Sequence, residues 1–130
     1  MRVQLKLLSV LLFVLSGNLW ANEDTKKIQE LFKKYDQIVV LHKVQLFPEV
    51  FTTKFLAEQG GEKSYATTVT SAKEKAVPFD LDIKPGRLDK SMAFVKIIPK
   101  GSKLRPESSF VVKRNPSGEW RIEGTVGDEN

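Results

Sequence analysis

The chain has 130 residues, with 21 Lys and Arg against 16 Asp and Glu, a single histidine and no cysteine. That length fits one domain, and the lack of cysteine excludes disulfides, thiol nucleophiles, iron–sulfur ligation and a lipid-modified cysteine. The net charge of +5 is spread as scattered lysines, with no basic tract alternating with aromatics, so a nucleic-acid partner is not expected.

The first stretch, "MRVQLKLLSVLLFVLSGNLWANEDTKK", places Arg2 and Lys6 before an apolar run from Leu7 to Leu15. This is the pattern of a secretory signal peptide. The run is shorter than the roughly 20 apolar residues that cross about 30 Å of hydrocarbon. A small residue, Ala21, precedes the polar "NEDTKK", which puts cleavage near Ala21 and makes residues 1–21 the leader and 22–130 the domain. Leu19, three positions before that bond, is bulky for such a site, so an uncleaved anchor stays open as the alternative. Removal of the leader takes Arg2 and Lys6 with it and leaves +3. The expected location is the periplasm or the exterior, with no membrane span in the mature chain.

From Asp24 to Phe47 the positions Ile28, Leu31, Phe32, Tyr35, Ile38, Val39, His42 and Leu46 follow steps of three and four, the period of an amphipathic helix. Asn22, Asp24 or Thr25 is placed to cap its start. Pro48 suits the first turn of a new helix better than the interior of an old one, so "FPEVFTTKFLAEQGG" reads as helix, bend, helix, stopped at Gly60-Gly61. Residues 62–74 repeat only Tyr65, Val69 and Ala72 at helical spacing and are read as a third helix.

After Val77 the period changes to two. "VPFDLDIKPG" alternates Phe79, Leu81 and Ile83 against Asp80, Asp82 and Lys84, a half-buried strand. "SMAFVKIIPKG" is apolar on both faces, as a central strand is. "SSFVVKRNPSGEWRIEG" is a hairpin in which Phe110 and Val112 share a face with Trp120 and Ile122, while Lys113, Glu119, Arg121 and Glu123 offer cross-strand charge pairs on the other. The expected class is α+β, with helices packed on a four-stranded antiparallel sheet.

This order of elements, and the final strand–Gly turn–Trp-x-Ile hairpin "FVVKRNPSGEWRI", resemble the nuclear transport factor 2-like (cystatin-like) superfamily, in particular its small exported bacterial members. The resemblance spans nearly all of residues 25–126. It implies a curved sheet closing as a cone around the long helix, a fold that hosts enzymes, binding modules and adaptors alike. Family enzymes related to ketosteroid isomerase use a tyrosine and carboxylic acids that project into the cone.

Tyr35 is the one candidate on the long helix for that role, yet no strand places an acid beside it on the apolar face. His42 is read as a packed or partly exposed helix histidine before a catalytic base. Asp80 and Asp82 share a strand face, and a solvated edge accounts for them more simply than a cation site. The aromatics Phe32, Phe47, Phe51, Phe55, Phe79, Phe94, Phe110 and Trp120 are expected to fill the cone rather than line a pocket. Loops near 85–90 and 99–107, with Arg87, Lys100, Lys103 and Arg105 supplying charge, are the candidate binding rim, though ordinary solvated turns account for them more simply.

No motif for a metal or organic cofactor occurs, so none is expected. The leading reading is an exported, non-catalytic binding or interaction module of the cell envelope, for a small molecule or a protein. The apolar second face of strand 91–98 points further to a homodimer through the sheet. Two alternatives stand beside it: a small isomerase or dehydratase working inside the cone, and an inhibitor or immunity-like partner of another exported protein.

Overall fold

The structure, a computed structural model, describes residues 23–86, 89–101 and 107–126. The expected leader, residues 1–21, and the expected cleavage position near Ala21 lie outside the described residues. Helix α1 runs Thr25–Leu41, a 3-10 turn covers Val44–Leu46, and α2 (Phe47–Val50), α3 (Thr53–Glu58) and α4 (Glu62–Ser71) follow. Four strands complete the chain: β1 Phe79–Pro85, β2 Met92–Pro99, β3 Ser108–Arg114 and β4 Trp120–Thr125. They form one antiparallel meander in the order β1-β2-β3-β4. The α+β class read from the sequence is therefore the observed one.

The long helix is shorter than its apolar period suggested. His42 takes a left-handed backbone, φ 58°, and the Lys43 N–H returns 3.4 Å to the Gln37 carbonyl, a reversal of the kind that ends helices. The apolar spacing continues to Leu46 and Phe47 only because the following 3-10 turn and α2 carry those residues back to the same core. Pro48 then occupies the first turn of α2, where its missing N–H is no loss.

Phe51 is extended, φ −113° and ψ 147°. It makes a parallel bridge to Ile122, and the Thr52 N–H donates to the Ile122 carbonyl at 3.0 Å. The bend thus covers the outer edge of β4, an edge that would otherwise present unpaired backbone groups. Thr52 caps α3, its Oγ1 accepting from the Phe55 N–H at 3.1 Å. Gly60 and Gly61, at φ 89° and 99°, make the reversal into α4 that residues with a Cβ resist. α4 ends at Ser71 instead of reaching residue 74. Thr67, Thr68, Thr70 and Ser71 turn their hydroxyls back onto carbonyls three or four residues earlier, which weakens helices of this composition and accounts for the faint apolar period.

The helices bury the inward face of the sheet. Ile28, Leu31 and Phe32 of α1 join Phe47, Val50, Phe51 and Phe55 from the middle helices, Ala93, Val95 and Ile97 of β2, and Phe110, Val112, Trp120 and Ile122 of the hairpin in one core. Phe79, Leu81 and Ile83 of β1 lie half-buried against it. Phe94 departs from the expectation that all the aromatics fill this interior. It belongs to the opposite parity of β2 and is 42 % exposed on the outer face.

The hairpin register is also different from simple alternation. From the turn, Arg114 pairs with Trp120 and Val112 with Ile122, and a bulge between Val111 and Val112 then shifts Val111 to Gly124 and Phe110 to Thr125. On the outer face the turn register sets Lys113 opposite Arg121, so two like charges stand where complementary pairs were expected.

Trp120 is 3 % exposed. Its Nε1–H donates to Asp24 Oδ1 at 3.0 Å. Asp24, 6 % exposed, makes no side-chain cap to α1. Its second oxygen lies 3.4 Å from an Arg114 guanidinium nitrogen, and that guanidinium sits 5.7 Å from the Trp120 ring centroid. The first turn of α1 is therefore fastened to the last strand by a buried carboxylate that the sequence offered only as a helix cap. Trp120→Ala removes a large buried ring and leaves the Asp24 carboxylate without its indole donor. The expected loss is about 3 to 5 kcal/mol, measured by chemical denaturation, and an unfolding midpoint unchanged from wild type refutes it.

Candidate functional site

Two tyrosines from different helices meet at one end of the core. Tyr35 of α1 packs against Phe110 of β3 at 5.1 Å between ring centroids, against Phe32 at 5.9 Å and against Phe51 at 6.1 Å. Tyr65 of α4 lies 5.3 Å from Phe47, 5.3 Å from Phe51 and 5.4 Å from Phe55. Phe51 and Phe55 stack at 4.6 Å, so a continuous aromatic wall joins the two phenols. The edge-to-face contacts that dominate here are the favoured geometry for such rings.

A recess of about 340 Å³ opens between them. Tyr35, Tyr65, Phe55 and Phe110 form its apolar side; Gln59, Ser108, Ser109 and Thr125 supply neutral donors and acceptors, and Glu107 stands at its border. The chain builds this arrangement from three sources: the turn of α1 that carries Tyr35, the glycine reversal that aims α4, and the beginning of β3 against the end of β4. Such a mixture of aromatic surface with a few convergent polar groups is the usual makeup of a small-molecule site.

The electrostatics favour holding over proton transfer. Burial, with the nearby Glu74 carboxylate adding to it, pushes the Tyr65 phenol up to about 12, so it stays a protonated hydrogen-bond donor throughout the neutral range. Glu107 is the one carboxylate among the residues lining the recess, and its Oε1 is 2.9 Å from Lys96 Nζ. The same contact, first through the hydrogen bond and then through charge, holds the Lys96 ammonium above its ordinary value. A solvated ion pair of this kind is a different object from the desolvated acid that works as a donor in an apolar cone.

Of the residues singled out in the sequence, Tyr35 lines the recess and His42 does not. The exposed His42 ring reaches from the end of α1 to the end of α4, with Nε2 2.9 Å from the Ala72 carbonyl. Asp80 and Asp82 lie on the exposed face of β1, paired with Lys100 at 3.1 Å and Lys84 at 3.9 Å. Among the described residues no three His, Asp or Glu side chains gather as a metal site would require. Arg87, Lys103 and Arg105 lie outside the described residues.

Comparison with known proteins returned no matching family model, no matching curated protein and no matching solved structure. The partners of Tyr35 were not legible from the sequence. Tyr65 read there as one apolar position of a weak helix, Gln59 as the end of the helix before Gly60-Gly61, and Glu107 as a loop residue. The available signal was the pair of tyrosines itself, the only two in the chain, but their meeting depends on how α1 and α4 pack.

Because the Tyr65 phenol ionises near 12 when folded and near 10 when unfolded, its contribution to stability is complete below about pH 10 and is lost as pH rises towards 12. Tyr65→Phe is expected to flatten the alkaline decline of the unfolding free energy across that interval. Identical slopes for variant and wild type overturn the assignment.

Proposed function

We propose that this chain is an exported, non-catalytic binding module of the cell envelope, built on the nuclear transport factor 2-like cone, with the Tyr35–Tyr65 recess as its ligand site. The observation that carries the reading is the recess itself: an aromatic wall bordered by uncharged hydrogen-bonding groups. Its phenol is held protonated, and its carboxylate is engaged by a lysine. An isomerase or dehydratase needs a group poised to exchange a proton near neutral pH; the Tyr65 phenol is held well above that range, and Glu107 is an exposed carboxylate paired with Lys96. The ligand that fits has a flat apolar face and several hydroxyl groups. Export rests on the leader pattern of residues 1–21.

The same reading includes a homodimer through the outer sheet face, where exposed Phe94 lies between Lys84 and Val111 of the neighbouring strands. At tens of micromolar, light scattering is expected to give the mass of two chains for wild type and of one for Phe94→Arg. A monomeric wild type removes the dimer.

Ligand binding is tested by adding phenyl β-glucoside to isotope-labelled protein and following backbone amide shifts. Millimolar probe is expected to move residues 35, 59, 65, 108–110 and 125, and Gln59→Ala to weaken the response about tenfold, the effect of losing one good hydrogen bond in a closed site. Shifts confined to other surfaces, or none at 10 mM probe, overturn the site.

A further inference from the structure

At the opposite end of the hairpin, a second recess of about 730 Å³ has a contrasting chemistry. Lys27 from the first turn of α1 and Lys113 and Arg114 from the end of β3 line it, together with Ser91, Asn115 and Gly118, and no carboxylate is among its lining residues. Neither Lys27 nor Lys113 has a carboxylate within ion-pair distance among the described residues.

Three features make this more than scattered surface charge. The guanidinium of Arg114 is held in place, between the buried Asp24 carboxylate at 3.4 Å and the Trp120 ring. Lys113 is placed directly across from Arg121 by the register of the hairpin turn, a like-charge pairing that opposes sheet stability. Arg121 turns away, donating to the Pro48 carbonyl at 3.0 Å, the Trp120 carbonyl at 2.9 Å and Glu119 at 3.4 Å, whereas Lys113 is left facing solvent at the recess.

Two carboxylates border the recess without lining it. Asp24 is buried beneath Arg114, and the exposed Asp89 accepts from the backbone N–H of Ser91 at 2.8 Å and from its hydroxyl at 2.5 Å, bonds that with the nearby charges of Lys113 and Arg114 hold its carboxyl below the ordinary value. The neighbouring groove beyond Lys27 carries Glu30, Glu49 and Glu119, which confines the cationic character to the one recess. Residues that break a local rule without an internal gain mark functional positions.

We propose that this recess binds a phosphoryl group carried on a larger molecule, with Arg114 as the oriented fork and Lys27 and Lys113 as flanking point charges. A guanidinium fixed in plane matches two phosphoryl oxygens at once, and the ammonium groups add charge without directional demand. The recess is far larger than the phosphoryl group itself, which leaves room for a lipid headgroup or for the body of a soluble phosphate ester.

The test measures binding to two probes at low salt: sodium pyrophosphate by calorimetry, and phosphatidylcholine vesicles with and without one-third phosphatidylglycerol by co-sedimentation. The purified protein is compared with Lys27→Gln/Lys113→Gln and with the control Lys54→Gln/Lys63→Gln, which removes the same charge from α3 and α4. Wild type is expected to bind at least one probe, and the recess variant to bind it about 25-fold more weakly, roughly fivefold per lysine, while the control loses less than twofold. Vesicle binding that requires phosphatidylglycerol identifies a headgroup, and pyrophosphate binding alone identifies a soluble ester. Circular dichroism melts accompany each variant, and Lys113→Gln is expected to raise the midpoint slightly by relieving the pairing with Arg121. Equal losses in recess and control variants, or no binding of either probe by wild type, overturn the proposal.

Discussion

One contact closes this fold. The Trp120 indole hydrogen on Asp24, 96 residues earlier, joins the first turn of the first helix to the first residue of the last strand. A buried carboxylate is costly unless its oxygens find donors. Here an indole N–H and a guanidinium supply them, and the guanidinium in turn lies over the indole. Each of the three side chains therefore has its position set by the other two. The rest of the architecture follows from this fastening: α1 lies along the hairpin, its apolar stripe meets β2 and β3, and the bend at Phe51 is brought against β4.

The two ends of the hairpin differ because of that geometry. Where β3 begins and β4 ends, the helices α3 and α4 approach, and aromatic rings from four elements converge around Tyr35 and Tyr65. At the turn end, Lys27 from the first turn of α1 and Lys113 and Arg114 from the end of β3 line a recess that faces solvent. One end is suited to an uncharged ligand with an apolar face, the other to an anion. The bulge at Val111 and Val112 acts at the first of these ends, where it sets Phe110 opposite Thr125.

Much of this was legible in the sequence, for reasons particular to each element. The change from a period of three and four to a period of two near Val77 announced helices followed by strands, because the two backbones present side chains at different intervals. Pro48, the Gly60-Gly61 pair and the Pro-Ser-Gly turn marked reversals, since those residues restrict or free the backbone locally. The end of α1 was not legible, because His42 in a left-handed conformation carries no glycine signal and the apolar spacing runs on through the next turn. The role of Asp24 was hidden for a different reason: a carboxylate at a helix start satisfies the capping pattern whether or not it caps.

By itself, the sequence determined the α+β class, the four strands, the inward face of β1 and of the hairpin and the burial of Trp120, since all of these depend on periodicity and on residues near in the chain. Only the tertiary structure decided which side chains meet. The bulge changed the partners across the hairpin, the packing of α1 against α4 brought two tyrosines to one recess, and the fastening of Asp24 left three cations around another. Such contacts join residues as far as 96 positions apart, and their energies depend on distance and burial, which no local pattern in the chain encodes.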